Sequence, residues 1–189
     1  MTPATLPSRE QALALLHEWI QNPSLRKHCY AVEAAMRAYA ARYGEDADRW
    51  GLTGLIHDFD WERHPDAQRH PMEGVKRLRE QGWPEDICRA VLGHASYSGV
   101  PRDTRMAQAL FACDELCGFL VACTLILPEK SIAKVEVASV LKKMKRADFA
   151  RNVNREDIVN GAAELGVDLA EHIAFTLGAL RGVHAELGL

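Results

Sequence analysis

The sequence lacks any stretch approaching the eighteen or so uninterrupted apolar residues that a membrane span needs. Its start, with Pro3, Pro7 and Glu10, also lacks the basic-then-apolar layout of a signal peptide, so the expectation is a cytoplasmic protein with no membrane partner. Cysteine is sparse and odd in number: five residues, at 29, 88, 113, 117 and 123, all inside apolar helical patterns. They read as reduced, buried thiols rather than a disulfide or zinc-thiolate scaffold. Excess positive charge is missing too, and a formal net charge of −3 argues against binding to a nucleic-acid polymer. No segment shows the alternation of a strand, so the chain reads as all-α. Repeats and biased segments are absent, and 48% hydrophobic residues in 189 suit one well-filled core or a core with an appendage.

What is present is a succession of amphipathic segments with start and stop signals. Ser8-Arg9-Glu10-Gln11 reads as a capping box for a first helix that carries Leu13, Leu16 and Ile20. Pro23 and Ser24 open a second helix that runs to Tyr43, with Gly44 as its left-handed stop. A third starts near Asp46 or Asp48 and ends at His57-Asp58. The stretch from Asp60 to Pro71 is polar and proline-marked and reads as a surface loop. Pro71 and Pro84 begin the fourth and fifth helices, and the sixth, from about Thr104 to Leu127, is the most apolar. Beyond Pro128 the composition turns basic, and two closing helices are capped by Asn154 and Asp168.

Histidines and acids fall at particular places in this pattern. His28 lies four residues before Val32 and seven before Ala35, on the inward face of the second helix. His57 and Asp58 stand at a helix end, where adjacent residues can reach one ion. His70 stands at a helix entrance, and His94 shares a face with Ile87 and Val91. Asp114 is set among Leu110, Phe111, Cys113 and Cys117, where a carboxylate is unfavourable unless paired; Glu115 beside it reads as more peripheral. His17, His172 and His184 read as structural or solvated, and Asp60 and His64 as surface residues with an alternative role in orienting ligands. Imidazole and carboxylate without thiolate suit iron, manganese, zinc, nickel or magnesium rather than a structural zinc.

The order His28; His57-Asp58; His70-Pro71-Met72-Glu73-Gly74; Gly93-His94; Asp114 resembles the HD-domain metal-dependent phosphohydrolases over roughly residues 20 to 125. The resemblance implies an HD-domain-like helical bundle with additional C-terminal helices: a metal-binding core over 1–127 and an extension over 128–189 packed on it as one unit. It implies divalent ions, two of them, with His28, His57, Asp58 and Asp114 holding one, His70 and His94 completing the second, and Asp58 shared. His57 and Asp58 are then the residues that carry catalysis. The implied activity is hydrolysis of a nucleotide or other small phosphorylated metabolite by a water whose pKa falls from about 15.7 toward 7 on metal binding. Many family members carry glycine-lysine two residues after His-Asp; here the residues are Asp60-Trp61. Arg63, Lys27 or the basic stretch after Pro128, with Lys130 and Arg155 foremost, are candidates to meet the substrate phosphate, and a solvated helix face is the other reading of that stretch. Two alternatives share the ligand set: a di-iron oxygenase, and a metal-stabilised helical module without catalysis. Oligomeric state is left open.

Overall fold

Helix boundaries follow capping chemistry in the computed structural model, which describes residues 6–189; Pro3 lies outside the described residues. The Ser8 side chain accepts from the Gln11 amide, and the Gln11 side chain accepts from the Ser8 N–H. This reciprocal box opens α1 (Arg9–Trp19). Asn22 caps α2 (Pro23–Tyr43), with Pro23 where a missing amide does no harm, and Gly44 at φ 70° ends it. Asp46 caps α3 (Ala47–Ile56). Prolines precede α4 (Met72–Glu80) and α5 (Glu85–His94), and Thr104 caps α6 (Arg105–Leu125). The described residues contain no strand, as the sequence predicts.

The C-terminal part holds more than the two predicted helices. Ahead of α8 (Arg155–Leu165) and α9 (Leu169–Gly182) lies α7 (Val137–Met144), and a short α10 (His184–Leu187) follows them. Val137, Val140, Leu141 and Met144 do have helical spacing, but the flanking lysines dominate the composition and mask it.

Close backbone approach at particular glycines sets the packing. A Cβ at Gly54 would lie 2.8 Å from the Val32 carbonyl oxygen, so α3 folds back tightly on α2. The start of α2, with His28, therefore meets the end of α3, with His57. Gly161 does the same for α8 on α6, since a Cβ there would sit 2.6 Å from Ala112 Cα. Behind α6 a buried polar relay ties three helices: Tyr39 O–H donates to His172 Nδ1 (2.6 Å), and His172 Nε2–H donates to the Ala112 carbonyl (2.8 Å). Burial lowers the His172 pKa, which keeps the ring neutral for this role.

By length and composition α6 would suffice to cross a membrane, yet here most of it is packed inside the protein, with Leu110, Cys113, Leu116, Cys117 and Phe119 buried. All five cysteines are free and buried. The stretch expected to be a surface loop is only partly so. Asp60, His70 and Pro71 are buried, because the Asp60 carboxylate accepts from His70 and from the Gly74 amide rather than from water.

The two kinds of glycine make opposite predictions. Gly161→Ala should push α8 off α6 and destabilise by about 1–3 kcal/mol. At Gly178, where a Cβ meets nothing within 4 Å, Gly178→Ala should be neutral or stabilise by up to about 1 kcal/mol. Urea unfolding of both variants checks this.

Candidate metal centre

Six side chains from five segments meet at one point. His28 comes from α2, His57 from the cap of α3, Asp58 from the turn after it, His70 from the approach to α4, His94 from the last position of α5, and Asp114 from mid-α6. They form two groups with a common member, His28/His57/Asp58/Asp114 and Asp58/His70/His94, each with its ligand atoms within 4.8 Å of one another. Asp58 Oδ2 lies 3.5 Å from His57 Nε2 and 3.8 Å from His28 Nε2, while its Oδ1 lies 3.4 Å from His70 Nε2 and 3.3 Å from His94 Nε2. Asp114 Oδ1 is 2.9 Å from His28 Nε2 and 3.3 Å from His57 Nε2.

The ring orientations are held from behind. His57 Nδ1 is 2.8 Å from the Gly54 carbonyl, His94 Nδ1 2.5 Å from that of Val91, and His70 Nδ1 2.8 Å from Asp60 Oδ1. Each partner is an acceptor, so each Nδ1 carries a hydrogen and each ring, when neutral, presents its Nε2 lone pair to the centre. His57 Nε2 is buried with no hydrogen-bond partner, and the Nε2 atoms of His70 and His94 face each other at 3.3 Å. Converging lone pairs and carboxylates in a buried place require a cation. Nitrogen and oxygen donors at this density fit a divalent metal ion.

The charges agree. Burial disfavours a charged His57, but Asp58 and Asp114 outweigh it and push the imidazole up to about 9. Burial likewise opposes ionisation of Asp58 and Asp114, yet His57 and the neighbouring histidines hold both carboxyls well below the usual range. In the metal-free protein a proton on His57 stands in for the missing positive charge.

The family model for the HD domain matches residues 25–117. The chain carries an HD domain over these residues. The match spans His28 through Asp114, so the whole His/Asp cluster lies inside the HD domain, a domain of the metal-dependent phosphohydrolase superfamily. No curated protein and no solved structure matches the chain.

Three of the cations expected at the substrate, Arg63, Arg155 and Lys130, are not beside the cluster. Arg63 donates to the Glu18 carbonyl (2.7 Å) and lies over the Trp19 ring at 4.1 Å, held against α1. Arg155 is spent on the preceding loop, where it donates to the carbonyls of Val153 (2.8 Å), Ala150 (3.1 Å) and Phe149 and covers Phe119. Its burial against backbone acceptors removes it from the site. Lys130 is exposed beyond the end of α6, and the helix rise puts even Leu125 about 16 Å along the axis from Asp114. Trp61, standing where many family members have lysine, packs edge-on against His70 with ring centroids 4.9 Å apart. His17 bonds Tyr30 Oη (2.6 Å), His64 packs on Trp19, and His184 bonds the Arg181 carbonyl, all away from the cluster.

Two residues matter more than the sequence suggests. Asp60, expected at the surface, is fully buried and accepts from His70 Nδ1 and from the Gly74 amide (2.9 Å). A Cβ at Gly74 would lie 2.6 Å from Asp60 Cγ, so the glycine of His-Pro-x-x-Gly is there to admit this carboxylate. Read together, the glycine and the acid were the available signal. Glu115 is pushed up to about 7 by burial and by Asp114 next to it, and accepts from the Asn154 amide at 3.2 Å.

Two outcomes follow. Asp60→Ala leaves His70 Nδ1 and the Gly74 amide without their acceptor and should weaken metal binding about 10–100-fold, read by titration of the chelator-treated protein. Because His57 must lose its proton to bind metal, affinity should rise about tenfold per pH unit for each proton displaced, levelling off near pH 9. Calorimetry in buffers of different ionisation enthalpy counts the released protons.

Proposed function

We propose that this HD domain is a binuclear phosphohydrolase acting on a small phosphate ester. The observation that supports it is the division of Asp58: one carboxylate oxygen faces His28, His57 and Asp114, and the other faces His70 and His94. A carboxylate shared by two nitrogen-rich half-sites would let Asp58 hold an ion with His28, His57 and Asp114 and a second with His70 and His94. Divalent ions bound there supply Lewis acidity and bring the pKa of a coordinated water toward neutrality.

The chain's own residues set the direction of approach. Asp58, Asp114 and His28 have side chains 18%, 19% and 20% exposed, whereas His57, His70 and His94 are at most 5% exposed. Substrate therefore reaches the centre from the side formed by α2 and α6. The buried histidines hold the far wall and exclude water from it. The Nδ1 hydrogen bonds of His57, His70 and His94 keep the donor atoms aimed before any ion arrives, which lowers the ordering cost of assembling the site.

Metal analysis, followed by a phosphatase screen over nucleotides, sugar phosphates and simple monoesters, tests the proposal. His70→Ala or His94→Ala should reduce stoichiometry from two ions to one, while Asp58→Ala should lose both and lower kcat/KM at least about a hundredfold. Full metal occupancy in Asp58→Ala would sink the shared-ligand assignment. A coloured iron protein inert toward every phosphate ester would point to oxygen chemistry instead, and no turnover with any metal would leave only a structural role.

A further inference from the structure

A cavity of about 310 Å³ opens beside the metal centre, lined by Lys27 and His28 from α2, by Gly118, Val121 and Leu125 from α6, and by Leu187 at the C-terminal end. His28 belongs to both the cavity and the cluster. On α6, Asp114, Gly118, Val121 and Leu125 fall at i, i+4, i+7 and i+11, one stripe of the helix, so the cavity continues the line that starts at the Asp114 carboxylate. Gly118 keeps it open: a Cβ there would meet no atom within 4 Å. Lys27, next in sequence to His28, lines this space and is exposed, and its Nζ lies against Gly188.

We infer that this groove is the substrate pocket of the proposed phosphohydrolase, with Lys27 meeting the phosphate and the aliphatic wall taking the organic part of a monoester of a small aliphatic alcohol. The inference rests on the metal-centre reading above. The lining chemistry selects this class over a nucleotide: the one aromatic ring lining it is His28, which belongs to the metal centre, so none is left on which a base could stack, and Ser24 supplies the lone side-chain hydroxyl. The volume sits at the lower end for ligand pockets, which suits a short chain. Lys27 also supplies the cation that Trp61 does not, from a different element.

The test uses the metal-loaded full chain and the non-hydrolysable series methyl-, ethyl-, butyl- and hexylphosphonate, with affinity read by calorimetry. Affinity should rise roughly fourfold per methylene until the groove is filled. Gly118→Leu, whose Cβ would meet no atom within 4 Å, should fill the floor and abolish the gain with chain length, and Val121→Trp is an independent block should that variant fold poorly. Lys27→Gln should weaken every member of the series by about ten- to a hundredfold while metal content stays the same. A flat series, or a series unchanged in both blocking variants, would overturn the groove. Hydrolysis of phosphate esters without dependence on chain length would reject the groove and keep the phosphohydrolase. A graded phosphonate series with no hydrolysis of any ester would keep the groove and reject the hydrolase.

Discussion

Three imidazoles whose Nδ1 hydrogens are all committed to acceptors behind them have no choice but to point lone pairs at one another, and the rest of this structure depends on resolving that. His57, His70 and His94 do so around Asp58, whose two oxygens divide the space between them. Without metal the negative charge of Asp58 and Asp114 is answered by a proton on His57. A divalent ion answers it better, because it accepts several lone pairs at once where a proton accepts one. The site is therefore a stored electrostatic demand, built by the fold ahead of its occupant.

That demand explains features far from the centre. The tight α2–α3 hairpin at Gly54 brings His28 to His57. The Tyr39–His172–Ala112 relay and the Gly161 contact hold α6 from behind at the level of Asp114. The buried Asp60, admitted by Gly74, fixes the His70 ring. Loss of any of these supports would move a donor atom by a fraction of an ångström, and metal sites tolerate little of that. The C-terminal helices serve the same end: α8 and α9 back α6, and the basic stretch that precedes them spends Arg155 on its own loop rather than on a ligand.

How much of this was legible depends on the range of the interaction involved. Capping residues, proline starts and glycine stops are local, so α1 to α6 stand where their signals put them; α7 was missed because charge hid a short apolar stripe. His28 and His94 were read as inward-facing from helical spacing alone, and both are in the cluster. The polar neighbours of Asp60 point to the surface, and no local rule says that a loop acid ten residues away will turn in to meet His70. The same limit applies to Arg63 and Arg155: a positive charge in a sequence does not say which partner, ring or carbonyl will claim it.

The sequence by itself determined an all-helical chain, the positions of most helix ends, and a set of histidines and acids in the order of an HD domain, because capping and periodicity are short-range and ligand type is chemistry. Only the tertiary structure decided that Asp58 turns one oxygen to each half-site, that Asp60 lies buried behind His70, that Arg63 is held on Trp19 and Arg155 on Phe119, and that a groove lined by α2 and α6 opens at His28. Each of those is a contact between segments far apart in the chain, set by how closely helices approach and which side chain fills the space between them, and no pattern of spacing within one segment carries that information.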